Sequence, residues 1–568
     1  MRSPLPFVLS LAVACTAGAW VGAQDAEPSP LPAHRTVDAE HFATSSRCAL
    51  CHASSPRARG LRDAEGRSIA PFDLWRSTMM ANASRDPLWR AAVSVEVAAT
   101  PSRKAAIEAK CMRCHAPLAS ETLRLAGAPA PGLDLLREDS DLGQLALDGV
   151  SCTLCHQVQP ELLGARESFG GGFRVGRGRR IFGPHADPFA MPMVRHSGFR
   201  PVQGEHLRDS ALCATCHTLF TDSLDAEGRP TGAVLPEQTP YLEWRNSVYN
   251  DEVEDLDHRA RSCQDCHVPV RDAEGRLIET RIARNPMGGD FRIPERSPVG
   301  QHIFIGGNTL VPAILRDRAD VLRPNAPREA FDRTIALARE QLSQRTARLW
   351  VRVVERSERR LHVRVRVENL TGHKFPTGHP TRRAWLRLRV RNAAGQVLFA
   401  SGEHDAQGRI VDDAGTPLPT ERRGGGLLAH RTRVTSSREA VVYEAVLADA
   451  EGRPTYLLLR GVAYLKDNRL LPVGWKPEHP AAVETAPRGT EGDPDHRPGE
   501  DSVDYFVDLP ARAGPLTVEA TLFYQVLGAR YADELFAWDT PEVRFFRSAY
   551  EAADRRPVPA ASAEVRVP

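Results

Sequence analysis

Five times along the 568 residues the pattern Cys-x-x-Cys-His recurs: CALCH (Cys48, Cys51, His52), CMRCH (Cys111, Cys114, His115), CTLCH (Cys152, Cys155, His156), CATCH (Cys213, Cys216, His217) and CQDCH (Cys263, Cys266, His267). Of the 11 Cys, only Cys15 stands outside these pairs. Two thiols three positions apart on one helical turn can each add to a vinyl group of the same porphyrin, and the adjacent His then sits beneath the iron. Covalent attachment fixes the cofactor without a large pocket, so a short length of chain can carry several. Structural zinc does not account for the pattern: a four-Cys site takes two pairs, five pairs leave one stranded, and nothing calls for a His after each second Cys. Thioredoxin-like motifs occur singly in a βαβ context. Structural disulfides leave the His unexplained. The motifs read as five covalently bound haem c groups.

The N-terminus reads MRSPLPFVLSLAVACTAGAW. Arg2, an apolar run from Pro6 to Ala14 and small residues near position 23 have the layout of a secretory signal peptide over residues 1–23. Cys15 after Ala-Val-Ala leaves a lipoprotein open. No later stretch approaches the roughly 20 apolar residues of a membrane span, so the expected location is periplasmic or extracellular. A formal net charge of +2 argues against strong attraction to nucleic acid.

The fold class expected is multidomain. Residues 24–45, rich in Pro and Ala, read as a flexible lead-in. Residues 46–315 carry the motifs at intervals of 63, 41, 61 and 50 residues, with helical patches such as Asp86 to Ala99 and long Gly/Pro-rich loops. They read as a haem-packed, loop-rich, mainly α domain. Residues 316–346 read as a helical connector, with Phe331, Ile335, Ala338 and Leu342 on one face. From 347 to 568, segments such as RLHVRVRVENL and GPLTVEATLFYQVL alternate apolar with polar positions between turn signals, which suggests an antiparallel, immunoglobulin-like β-sandwich.

Function turns on the second axial position of each iron. Filled by a side chain, it suits electron transfer; open, it can bind a small molecule. The strongest candidate is His373 in GHKFPTGHP, where Gly removes bulk beside the imidazole and Pro stiffens the loop; His379 in the same loop is a weaker one. His302 precedes a Gly-Gly turn, and His206 lies seven residues before Cys213. His196, His185, His258 and His41 follow. Met79 or Met80 could supply a thioether. His404, His430, His479 and His496 sit in polar stretches and read as solvated.

The segments WRSTMMANASRDPLW, DGVSCTLCHQV, LCATCHTLFT, LPEQTPYLEW, SCQDCHVPV, HIFIGGNTL and NLTGHKFPTGHPTRRAWL resemble multihaem cytochromes c of the cytochrome c-552/4 and hydroxylamine-oxidoreductase-like kind. The resemblance covers roughly residues 46 to 395. It implies stacked, mostly bis-His haems, secretion and respiratory electron transfer. Related sequences carry a Ser-x-His-Ala element whose His is a distal ligand. Here Ser77-Thr78-Met79-Met80-Ala81 stands in its place, which makes Met80 the substitute or leaves that haem open. A Cys-x-x-Cys-Lys motif, the mark of a nitrite-reductase type of active site, is absent from the sequence.

The expectation is thus a secreted pentahaem c-type cytochrome, an electron carrier more than a catalyst. It would serve a respiratory or extracellular chain and work with redox partner proteins such as other cytochromes or a quinol-oxidising membrane complex. Peripheral membrane or outer-membrane complex association is left open. The alternative is an oxidoreductase acting on a small nitrogen or sulfur species at one open haem.

Overall fold

The computed structural model describes residues 29–568. The readings for the signal peptide, Cys15 and the first residues of the lead-in fall outside that range. From Ser45 to Leu322 the chain alternates short helices with long loops. Lys104–His115 (KAAIEAKCMRCH) is built mostly of strong helix formers. Pro87–Ala99 opens on a Pro at its first position, and the Asp86 carboxylate caps it by accepting from the Leu88 and Trp89 amides at 2.8 and 3.2 Å. Strands β1 (Arg180–Gly183) and β2 (Arg200–Gln203) pair in parallel, and β3 (Leu219–Leu224) and β4 (Pro230–Gln238) form an antiparallel pair.

The mainly α domain read from the sequence is therefore corrected. Among residues 46–315 the longest helix has 13 residues, and helices share the stretch with two small sheets and extensive loops. Gly and Pro interrupt any 3.6-residue period, notably around Gly170–Gly172 and Pro184–Pro192. The lead-in reading also changes for residues 31–45. Leu31, Val37 and Phe42 are buried, the Leu31 amide donates to the Val321 carbonyl, and Arg35 pairs with Asp139 and Asp141.

The helix Arg328–Arg345 buries Phe331, Ile335, Ala338 and Leu342 and leads into the strands. These are β5 (Ala347–Arg356), β6 (Arg360–Asn369), β7 (Arg383–Asn392), β8 (Val397–Ser401), β9 (Glu403–His404), β10 (Ile410–Val411), β11 (Arg433–Val434), β12 (Val441–Ala448), β13 (Pro454–Thr455), β14 (Ala463–Asp467), β15 (Glu500–Asp508), β16 (Leu516–Gln525) and β17 (Val558–Val567). One sheet runs β11-β15-β6-β5 and a larger one β13-β12-β7-β16-β17, with β14 on β12 and β8 on β7. On β6, Leu361, Val363, Val365 and Val367 all point inward while Arg and His alternate outward. They share one core with Leu386, Leu388 and Val390 of β7 and Val518, Ala520 and Leu522 of β16.

Two features depart from an immunoglobulin-like sandwich. Strand β11 joins β15 in parallel, with Arg433 opposite Asp504. The helices Ala529–Leu535 and Pro541–Ala552 intervene between β16 and β17. The core is also continuous across the expected boundary: Ala91, Val95, Met112, Val311 and Leu342 belong to the same cluster as Val363, Leu388 and Phe546. Among the described residues no helix is long and apolar enough to cross a membrane.

Candidate cofactor site

Each Cys-x-x-Cys-His motif sits at the C-terminal end of a helix: Ser45–His52, Lys104–His115, Cys152–Cys155 with His156 as its cap, Ser210–His217 and Cys263–His267. The last of these has a capping box, with Ser262 and Asp265 satisfying each other's backbone amides. The ten motif cysteines are all free thiols.

All fifteen motif Cys and His line one continuous cavity of about 1260 Å³. Protein interiors pack to crystal-like density with few voids larger than a water molecule, so a space of this size lined by thiols, imidazoles and apolar side chains fits a set of flat, apolar cofactors. The donor set fits as well. The Nδ1 of His52 donates to the Ile282 carbonyl at 3.0 Å, that of His115 to Ala83 at 3.0 Å, that of His156 to Phe182 at 2.7 Å and that of His267 to Ile305 at 2.6 Å. A carbonyl can only accept, so each of these rings carries its proton on Nδ1 and keeps the Nε2 lone pair free. That is the outer contact by which proteins orient a metal-ligating His. Burial pushes the imidazoles of His115 and His217 down to about 4, and those of His52, His156 and His267 below their ordinary range. They are neutral at physiological pH, as ligation requires.

The thiols show which motifs are neighbours. Cys48 and Cys152, Cys114 and Cys216, and Cys213 and Cys263 lie close enough for each pair to interact electrostatically, which with burial pushes the Cys152, Cys114 and Cys213 thiols up. Cys155 interacts more weakly with Cys216. Spatial order is therefore first–third–fourth, with the second and fifth motifs both against the fourth, and it differs from the order along the chain.

Of the candidate second ligands, His302, His373, His379, His196, His185, Met79 and Met80 line the cavity. His302 has the most specific placement. Its Nδ1 donates to the Gly300 carbonyl at 3.1 Å, and its ring lies 6.3 Å from that of His156, nearly parallel at 21°. Two metal–nitrogen bonds of about 2.0 Å plus half a ring on either side span roughly 6 Å, so the two rings are spaced to share one metal. Burial pushes His302 down to about 4.

The loop bearing His373 and His379 is held by a buried charge network. Lys374 Nζ lies 2.7 Å from Asp467 Oδ2, Arg469 binds both Asp467 oxygens at 2.7 Å, and Arg469 reaches Glu243 at 3.3 Å. Glu243 in turn accepts from the Lys374 amide at 3.0 Å and from the Thr377 hydroxyl. Burial lowers Lys374 and also opposes ionisation of Asp467, but the Arg469 and Lys374 charges and their hydrogen bonds outweigh it and hold that carboxyl well below the usual carboxylate range. A Cβ at Gly372 would come within 3.1 Å of Trp244, so the loop packs tightly against the helix Pro240–Arg245. His373 Nδ1 donates to the Lys374 carbonyl at 2.9 Å, and the ring lies close enough to His267 to interact with it electrostatically. His379 feels His115 instead.

His206 is not among the cavity-lining residues. It is buried in the turn Glu205–Arg208, where Nε2 donates to the Val158 carbonyl at 2.9 Å and the ring stands edge-on to Phe182. Its Nε2 is thereby engaged, and Nδ1 carries the lone pair. His196 lines the cavity from an exposed position. His258 is exposed, and His41 is close to Glu40. The polar-loop reading fails for His430, which is almost fully buried, 2.6 Å from Asp493 and stacked edge-on against His496.

Several cavity residues carry no sequence signal. Trp89 stacks on His115 at 4.4 Å. Buried Glu96 and Glu237 line the cavity with Lys110 and Tyr531 beside the second motif. Burial pushes Glu96 up to about 7.

No family model matches the chain, and no curated protein matches it in sequence. Among solved structures it is similar to a penta-heme cytochrome c552 from Thermochromatium tepidum, at 16% identity, with a TM-score of 0.50, over 93% of this chain and 99% of that one. The likeness extends over both the motif-bearing part and the sheets. The chain has the fold of a multihaem cytochrome.

Proposed function

We propose that the chain is a periplasmic or extracellular c-type cytochrome with five covalent haems that transfers electrons to and from partner proteins. The carrying observation is the His156–His302 pair: two neutral, nearly parallel imidazoles 6.3 Å apart, each oriented through Nδ1, across the cavity that all five motifs line. Haem c bound there would supply one-electron redox chemistry at iron, and bis-His ligation favours transfer over substrate binding.

The chain's own residues do the rest. The ten motif thiols would hold the groups, and His52, His115, His156, His217 and His267 would stand as proximal ligands. His302 is assigned to the third motif. His373 is assigned to the fifth and Met80 to the first, with His196 a solvent-side candidate. Backbone carbonyls hold four proximal rings in one tautomer, and the cavity walls are mostly apolar. The domain division near residue 346 is proposed as a change of architecture within one continuous core.

Electron paramagnetic resonance of the ferric holoprotein tests the reading. It expects low-spin signals throughout; a dominant high-spin signal would overturn it. A second reading is favoured by one observation, the acidic group of Glu96, Glu237 and Tyr531 beside the second motif. Such groups can deliver protons, as reduction of a small nitrogen or sulfur species needs. That reading expects a high-spin fraction near one haem in five, and cyanide binding to it.

A further inference from the structure

Residues 173–208 hold seven Arg against two acids, Asp187 and Glu205, in a chain whose formal net charge is only +2. Arg174, Arg177, Arg180, Arg195, Arg200 and Arg208 are all exposed. Among the described residues none of these six has a carboxylate within ion-pair distance; Arg179 alone is neutralised, by Asp38 at 2.6 Å. Arg180 and Arg200 are direct partners in the β1–β2 register, so two like charges are held side by side, which costs stability unless the field has a use. Arg195 in the last turn of Ala190–Ser197 gains from the helix dipole; the others have no such local reason. Arg208 and Arg296 both press on His185 electrostatically, which places them at the same face.

The same segment also carries exposed apolar side chains. Phe189, Met191 and Val194 are 57%, 69% and 41% exposed within six residues. Phe189 itself also lines the cavity, with Pro192, Met193 and His196 of the same segment. The same strand whose Phe182 carbonyl orients His156 is β1. The segment is a thin wall between the third motif and solvent.

We propose that this face, with exposed Phe189, Met191 and Val194 among unpaired Arg, docks an acidic soluble electron-transfer protein. The inference rests on the electron-transfer reading and names the partner's chemistry. Apolar side chains together with charged ones make up a transient interface, and unpaired like charges among them steer an oppositely charged partner. A protein is favoured over a lipid surface because the patch is small and lies where a redox centre could approach the cavity.

The test is stopped-flow reduction of the holoprotein by a reduced, acidic [2Fe–2S] ferredoxin, with a basic cytochrome c as the charge-reversed probe. The rate constant with ferredoxin is expected to fall about tenfold or more from about 10 to about 300 mM salt. The double variant Arg195→Glu, Arg200→Glu should lose about tenfold at low salt and gain rate with the basic probe, while Arg360→Glu, on the distant β6, changes neither. Met191→Asp, at a site that is 69% exposed, should slow ferredoxin with the visible spectrum unchanged. Salt-independent rates, or equal rates for the double variant and the Arg360 control, would overturn the proposal. So would binding to phosphatidylglycerol vesicles, or self-association in sedimentation, that the double variant abolishes while the ferredoxin rate is untouched. If dithionite itself fails to reduce the haems, the electron-transfer reading falls; if dithionite succeeds and ferredoxin shows no charge dependence, only the docking face does.

Discussion

His302 and His156 are 146 positions apart in the sequence, yet their rings lie 6.3 Å apart and nearly parallel, the spacing the proposed shared iron requires. His302→Ala should convert one haem in five to a high-spin, cyanide-binding form, read by magnetic resonance and visible spectroscopy, with the remaining four unchanged. Asp501 gives a second prediction at this scale. Burial, with Asp493 nearby, pushes its carboxyl up to about 7 against the opposing hydrogen bond from Tyr443. A carboxyl whose folded value lies above its unfolded value near 3.9 binds more protons folded than unfolded. The stability it contributes is therefore full below about pH 4 and lost as pH rises through 7, on the order of 4 kcal/mol. Asp501→Asn keeps an acceptor for Tyr443 and removes the titration. The variant should gain on wild type by a few kcal/mol between pH 5 and pH 8 in denaturant unfolding; an unchanged difference would refute the assignment. The five motifs were legible because Cys, Cys and His are local neighbours whose spacing states the chemistry. The partner of each proximal His was not, since nothing near His302 in the sequence refers to His156.

At the scale of elements, β14, the 370–379 loop and the helix Pro240–Arg245 are tied by Asp467, Lys374, Arg469 and Glu243, all buried. Removing one member of such a network leaves uncompensated buried charge. Asp467→Asn should cost about 3–5 kcal/mol in denaturant unfolding, and should release a high-spin haem fraction as the His373 loop loosens. Loss of stability with a wholly low-spin spectrum would separate the network from ligand placement. Strands such as β6 were legible from strict alternation, because one face meets a core and the other water. The mainly α reading of residues 46–315 failed for a related reason. There a side chain can face either the protein core or the cavity, both apolar, so the pattern no longer reports a helix period. Interruptions such as Gly170–Gly172 and Pro184–Pro192 then leave loops and the small β1–β2 and β3–β4 sheets. The buried network itself joins residues 243, 374 and 467–469, a grouping no local window contains.

Across the whole molecule, the cavity walls come mainly from segments between Arg47 and Arg382, with Leu458, Leu459, Tyr524, Val526 and Tyr531 added from the C-terminal part. Without its occupants the chain would leave that apolar surface to water, so binding and folding are linked. Replacing both Cys152 and Cys155 by Ala, which touches the motif between the first and the fourth, should yield a chain that lacks a cooperative thermal transition or is degraded on expression; a variant melting within a few degrees of wild type would count against a structural role for the cofactors. The central claim, covalent attachment at all five motifs, is tested most directly by intact mass of the denatured protein after secretion in a host with c-type maturation machinery. A mass increased by five haems, with no thiol reactive toward alkylation in the mature chain, is the expected result. Recovery of the bare polypeptide mass with ten alkylatable or disulfide-paired cysteines would contradict it.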